Sequence, residues 1–297
     1  MTVLTVTGGK GGTGKTVVAV NLALALSSLT GERVLLVDLD ADNPCTYTLL
    51  NVEPKTVEEV KSFKPVIDKD TCVRCGTCVK HCPTHALFLI PNAGLSFIET
   101  LCEGCAMCMY VCPKEAISRG HRLTGWVKEA DAGDLHLVLG ELRPGDRKYH
   151  DVMEAALNYA KRIWEGYRVV VIDTPPGTGK GILMALNSSD IIVAVTEPTS
   201  LGLLDLKRLN RLVTPLGKPE IVVVNKYGLP GGAHNKLERY LQECGLRWAK
   251  IRYDKRLMSA YIRGKPVIRY DPDAPSALDI QALAEMLAKE MGLSKLS

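Results

Sequence analysis

Eight of the ten cysteines fall into two copies of one pattern. Cys72, Cys75, Cys78 and Cys82 are followed by Pro83, and Cys102, Cys105, Cys108 and Cys112 by Pro113. Each copy reads C-x-x-C-x-x-C-x-x-x-C-P. This spacing lets three thiolates wrap one face of a 4Fe-4S cube while the fourth reaches across to the cube of the other copy. Laying the segment on itself with an offset of 30 residues matches all four cysteines, the prolines, and Ala86 with Ala116. Each half is too small to bury a core, so bound metal has to supply the missing stabilisation. Two four-cysteine zinc sites are the competing reading, but the cysteine pairs of zinc sites are usually separated by longer spacers.

On either side of this repeat the pattern is different. Val3 to Thr7, Arg33 to Asp38, Arg168 to Asp173, Asp190 to Thr196 and Glu220 to Asn225 are short, continuous apolar runs, as strands buried on both faces of a parallel sheet read. Helical patterns lie between them, at Lys15 to Ser28, Asp151 to Trp164, Leu201 to Val213 and Ala277 to Met291. Such alternation predicts an α/β fold with a doubly wound, mostly parallel sheet. Leu135 to Leu139 and Arg247 to Ile251 are candidates for further strands. A chain of 297 residues then divides into one large domain, 1–64 with 120–297, and an inserted α+β domain at 65–119.

Composition narrows the function classes. A net charge of +4, with no block of Lys and Arg and few aromatic residues, argues against nucleic-acid binding. No apolar stretch of about 18 residues occurs and Met1 leads into a strand, so neither a membrane span nor a signal peptide is expected. The expected location is cytoplasmic, where C-x-x-C thiols stay reduced and ligate metal.

The first strand runs into Gly8-Gly9-Lys10-Gly11-Gly12-Thr13-Gly14-Lys15-Thr16, which contains G-x-x-x-x-G-K-T and opens the first helix. Backbone N–H groups of such a loop turn inward around phosphate oxygens, Lys15 reaches the outer phosphates, and the Thr16 hydroxyl serves magnesium. The lysine at position 10 gives K-G-G-T-G-K-T, which resembles the deviant Walker A motif of the MinD, ParA, Mrp and nitrogenase iron protein superfamily. The resemblance implies an ATPase that dimerises on ATP, with Lys10 touching the nucleotide of the opposite subunit; a solvated loop lysine is the plainer reading. Asp38-Leu39-Asp40-Ala41-Asp42 resembles the switch I of that family, in which Asp40 would orient the attacking water and Asp38 support the magnesium region. Asp173-Thr174-Pro175-Pro176-Gly177-Thr178-Gly179 resembles the Mrp-type switch II, with Asp173 on magnesium and Gly177 sensing the gamma phosphate. Asn225, at a later strand end, would read the adenine edge or simply close a loop.

The cysteine segment resembles bacterial-type ferredoxins. That resemblance implies that Cys72, Cys75, Cys78 and Cys112 hold one cluster and Cys82, Cys102, Cys105 and Cys108 the other, each carrying single electrons at low potential. Lys69, Arg74, Lys80 and His81 flank the first block and Glu99, Glu103 and Glu115 the second, which predicts that the first cluster is the easier to reduce. Cys45 and Cys244 stand alone and are assigned no role. Mrp-type cluster carriers have a C-x-x-C in the later half of the chain, and this chain lacks it. The expected function is ATP-gated electron transfer through two 4Fe-4S clusters to an acceptor protein. An iron-sulfur or metallocofactor assembly factor serving a client metalloprotein is the alternative, and a MinD- or ParA-like positioning ATPase the third. The last helix, with Asp279, Glu285 and Glu290 against Lys289, does not read as a membrane helix. Stripping iron is expected to expose residues 65–119 to protease while the remainder stays resistant; equal resistance of the iron-free segment would contradict a metal-dependent fold.

Overall fold

The computed structural model describes residues 1–293; residues 294–297, to which the expected ATPase segment extends, lie outside the described residues. Eleven strands run in chain order as β1 (Thr2–Thr7), β2 (Val34–Asp38), β3 (Lys55–Ile67), β4 (Leu87–Ile90), β5 (Gly94–Phe97), β6 (Ile117–Asp131), β7 (Leu135–Leu142), β8 (Val169–Asp173), β9 (Ile191–Thr196), β10 (Glu220–Tyr227) and β11 (Arg247–Arg252). The helices are α1 (Lys15–Thr30), α2 (Thr46–Leu50), α3 (Thr77–Lys80), α4 (Met107–Tyr110), α5 (Tyr149–Ile163), α6 (Lys180–Ser188), α7 (Ser200–Val213), α8 (His234–Glu243), α9 (Lys255–Ile262), α10 (Val267–Tyr270) and α11 (Pro275–Glu290). They form two compact units. The larger takes Met1–Val57, Val127–Glu141 and the chain from Met153, and the smaller takes Glu58–Trp126 with Leu142–Val152.

In the larger unit the strand order is β11-β10-β9-β1-β8-β2-β7, every neighbouring pair parallel. The central strands are β-branched and apolar because both faces are covered. α1 is apolar nearly all round, as a helix buried on most sides must be, and shares one core with α11 through Leu22, Leu26, Ile280 and Leu283. Two features place the site. β1 lies between β8 and β9, so the sheet order reverses beside it, where open α/β sheets bind ligands beyond the carboxyl ends of their strands. Register then pairs Val6 with Asp173 and Asp38 with Asp173, bringing the two acidic strand ends side by side.

β6 returns into β7 through Ala132–Asp134, with Gly133 left-handed at φ 73° and the Ala132 N–H donating to the Leu135 carbonyl. β3 and β6 are long strands that apolar runs did not mark. Their sequences are rich in charge, and β3 alternates exposed Glu59 and Lys61 with buried Val60 and Ser62.

The smaller unit repeats itself in its backbone. α3 and α4 are offset by 30 residues, and left-handed φ values recur at Arg74 and Gly104, Gly76 and Ala106, and His85 and Glu115. The Ala86 N–H donates to Cys82 Sγ at 3.3 Å, as the Ala116 N–H does to Cys112 Sγ. Its core is Phe63, Leu87, Leu95, Ala106 and Ile117 around Cys78 and Cys108.

Glu220 opens β10, where burial pushes its carboxyl up to about 7 from an ordinary 4.5. The folded state prefers the protonated acid, so its ionisation destabilises the fold progressively as pH rises from 4.5 toward 7. Glu220→Gln is expected to match the wild-type thermal midpoint near about pH 4 and to exceed it above about pH 7. A difference that is flat with pH would contradict this assignment.

Candidate functional site

The loop Gly8–Gly14 connects β1 to α1, and its last residue caps the helix in the left-handed region at φ 90°. A side chain at Gly14 would also strike the Asn225 amide. Gly11, Gly12 and Gly177 face open space, with no atom within 4 Å of a Cβ built on them. Gly177 is held there by its N–H on the Gly8 carbonyl, at 3.4 Å and φ 113°. Gly9 packs closely on Asp205 of α7 instead. The Lys15 ammonium, buried, donates to the Lys10 carbonyl at 2.9 Å. Burial lowers its pKa, against the opposing pull of Asp173 and Asp40.

The carboxylates differ in how they are satisfied. Asp38 is wholly buried and accepts from the Asp40 N–H at 2.9 Å, the Thr46 hydroxyl at 2.8 Å and the Thr46 N–H at 3.3 Å. Burial nonetheless pushes it up to about 6. These bonds tie Asp38 to the turn that carries Asp40. Asp40, half-buried, is raised chiefly by burial, while Lys15 pulls it down. Asp42 is exposed. Asp173 is wholly buried, and neither of its oxygens accepts a hydrogen bond. Burial and the neighbouring Asp38 raise it well above the carboxylate range, although the Thr16 hydroxyl lies near enough to draw it down in part. The Thr13 hydroxyl of the loop is also buried without a partner. An orphaned buried carboxylate next to a phosphate-type loop fits a divalent cation and the anion that accompanies it.

Around the loop's other side lies a residue that motif reading did not single out. Glu197, just beyond β9, takes Lys10 on one oxygen at 2.5 Å and Lys226 on the other at 2.9 Å. Burial alone would raise its carboxyl; the two lysines hold it below its ordinary value. Lys226 also donates to the Gly12 carbonyl at 2.8 Å. Asn225 is buried, with its Nδ2 on the Thr13 carbonyl at 2.7 Å. The structure therefore gathers Lys10, Lys15, Thr16, Asp38, Asp40, Asp173 and Asn225 at one end of the sheet. Looking at every strand's carboxyl end would also have found Glu197, since it directly follows the apolar run of β9.

In the smaller unit the eight cysteines line two cavities. One is lined by Cys72, Cys75, Cys78 and Cys112. The other is lined by Cys82, Cys102, Cys105 and Cys108. Each thus draws three thiols from one block and the fourth from the other. Burial raises Cys78, with Cys112 and Cys72 adding to it, and raises Cys108 to about 11, with Cys102 and Cys105 adding. In the same sets the Thr77 hydrogen bonds hold Cys75 below the ordinary thiol value, and at Cys82 those of Thr84 and Ala86 outweigh burial and lower it too. Among the described residues no three His, Cys, Asp or Glu side chains converge on a single ion position. Four thiols about each cavity, three from one block and one from the other, match the donor set that a 4Fe-4S cluster takes. Cys45 is half-buried beside the Asp38 turn and Cys244 is exposed, and neither lines these cavities.

Comparison with known proteins agrees with both parts. A family model, the CobQ/CobB/MinD/ParA nucleotide binding domain, matches residues 4–267. An iron-sulfur cluster carrier protein of Pyrococcus horikoshii is 26% identical over 303 residues, covering 97% of this chain and 86% of that protein. A ferredoxin of Pyrobaculum islandicum is 40% identical over 67 residues, 23% of this chain and 63% of the ferredoxin. The fold is that of the septum site-determining protein MinD of Pyrococcus horikoshii, solved with Mg-ADP, at a TM-score of 0.63 and 18% identity, covering 100% of this chain and 99% of that one. No helix among the described residues is long and apolar enough to cross a membrane. The chain belongs to the CobQ/CobB/MinD/ParA nucleotide-binding family of P-loop ATPases, with a ferredoxin-like cysteine segment set inside it.

Proposed function

We propose that this protein binds and hydrolyses ATP and couples nucleotide-driven switching of a homodimer to electron transfer, through two 4Fe-4S clusters, to a partner protein. The observation that carries this reading is the pair of cavities, each ringed by four thiols of one chain. Cys72, Cys75, Cys78 and Cys112 would hold one cluster and Cys82, Cys102, Cys105 and Cys108 the other; such clusters carry single electrons at low potential. Ligand sets closed within one chain suit a retained carrier of electrons. In the ATPase part, Lys15 and the loop N–H groups hold phosphate, and Thr16 and Asp173 hold magnesium, with Asp38 acting through the Asp40 turn. Asp40 orients the attacking water, Gly177 senses the gamma phosphate, and Lys10 leaves Glu197 to reach the nucleotide of the opposite subunit.

The second reading, a cluster carrier, is favoured by the Pyrococcus horikoshii relative of that name. Against it stands the cysteine distribution: only Cys244 follows Cys112. Two measurements separate the readings. Reduction of an acceptor by the anaerobic protein is expected to require ATP turnover and to fall to the ATP-free rate in Lys15→Ala; an unchanged rate in that variant would refute coupling. Labelled iron is expected to stay with the protein, and its passage to an apo client would favour the carrier.

Asn225→Ala removes the buried bond to Thr13, worth about 1 kcal/mol, so nucleotide affinity should fall roughly fivefold by calorimetry. If Asn225 reads adenine, the variant also loses preference for ATP over GTP; equal losses for both nucleotides confine it to holding the loop.

A further inference from the structure

Two buried cations bracket the second cysteine set. Arg122 of β6 donates Nη1 to the Glu99 carbonyl at 3.0 Å, Nε to Ser62 Oγ at 3.3 Å and Nη2 to Asp146 Oδ1 at 3.2 Å. The Arg122 and Asp146 side chains are 7% and 4% exposed. Lys148, also buried, sets its ammonium on the Glu103 carbonyl, with the half-exposed Asp151 carboxylate 3.6 Å away. Asp146 ties the two together, because it also accepts the N–H groups of Arg147 at 2.8 Å and Lys148 at 3.1 Å. The carbonyls so gripped stand on either side of Cys102, and that of Glu99 also receives the Cys102 N–H at 3.2 Å. Gly104 makes room for the arrangement: it is left-handed at φ 65°, and a Cβ there would lie 2.9 Å from the Lys148 ammonium.

The first block is built otherwise at the matching positions. The turn before Cys72 is closed by an acid, Asp68, which accepts from the Asp70 N–H at 2.9 Å and from the Thr71 hydroxyl at 2.7 Å. Arg74 stands where the second block has Gly104, and it, Lys69 and Lys80 are exposed to screening solvent. The sulfurs differ too. In the second set Cys102 accepts the Gly104 N–H at 3.4 Å and Cys82 the Ala86 N–H at 3.3 Å, with the Thr84 hydroxyl 3.7 Å from Cys82, and in the first Cys112 accepts the Ala116 N–H at 3.3 Å, with the Thr77 hydroxyl 3.4 Å from Cys75.

We propose that Arg122 and Lys148 are positioning residues that make the cluster of Cys82, Cys102, Cys105 and Cys108 the easier of the two to reduce. This rests on the reading that both cavities hold 4Fe-4S clusters. Reduction adds one electron from an external, low-potential one-electron donor; no bond forms or breaks and no proton moves. The added negative charge is favoured by buried cations and by N–H donors on the sulfurs, and buried charges are screened least. The order is the reverse of that expected from the surface charges flanking the blocks, because burial outweighs number.

The test is a dithionite titration of the anaerobic holoprotein followed by electron paramagnetic resonance, with the two couples assigned from Cys75→Ser and Cys105→Ser. Lys148→Met is expected to make reduction of the second cluster about tenfold less favourable, a fall of about 59 mV for a one-electron couple. Lys148→Arg should restore it, and Asp146→Asn, which removes the compensating anion, should raise it. Lys69→Met should move neither couple. If Lys148→Met does not retain iron, Lys148→Gln and Asp146→Asn provide the same opposed pair. Shifts of equal sign in the two variants, an unmoved second couple, or a first couple that is the higher in the wild type would each overturn the proposal. Wild-type protein whose iron and sulfide content does not amount to two clusters overturns the cluster reading itself, before any titration.

Discussion

A buried carboxyl group with no hydrogen-bond partner is among the more costly things a protein interior can hold, and Asp173 occupies the middle of this sheet. Its neighbour in register, Asp38, is equally buried but has three hydrogen bonds. The difference between the two acids organises the end of the molecule. Asp38 spends its oxygens on local architecture, fixing the turn of Asp40, whereas Asp173 keeps both oxygens for something that is not protein. Lys15 lies close enough to offset part of the charge, but its ammonium is directed to the Lys10 carbonyl. On the proposed reading, that unpartnered carboxyl is the place kept for a cation.

Glu197 divides its carboxylate between two lysines that approach from different elements of the loop region. One consequence is mutual exclusion. The Lys10 ammonium cannot sit 2.5 Å from Glu197 and at the same time stabilise charge on a nucleotide held elsewhere. Release of Lys10 leaves Glu197 with Lys226, which also grips the Gly12 carbonyl, so the carboxylate is never left bare.

Much of this was legible in the amino-acid sequence, for identifiable reasons. The central strands announce themselves because strands buried on two faces must be apolar without interruption, and the loop because few residue types can follow a strand with so many inward N–H groups. β3 and β6 escape that filter, since charged residues alternate along them. Glu197 was hidden because a single acid at a strand end has no spacing to betray it. The proposed contrast between the cysteine blocks departs from the sequence expectation for a related reason. Lys69 and Lys80 are near in sequence but exposed, whereas Arg122 and Lys148 lie 20 and 46 positions from Cys102 in the chain and are buried beside its turn. Proximity along the chain measures charge poorly when solvent decides how much of it is felt.

The chain path imposes an order of events during synthesis. β1 and β2 emerge first, yet they do not pair with each other, because β8 separates them. They must wait for residues near 170. The smaller unit is complete earlier, at Val152, once Leu142–Val152 has joined Glu58–Trp126. A ribosome releasing about 5–20 residues per second therefore presents a finished set of cysteines before the principal sheet can close.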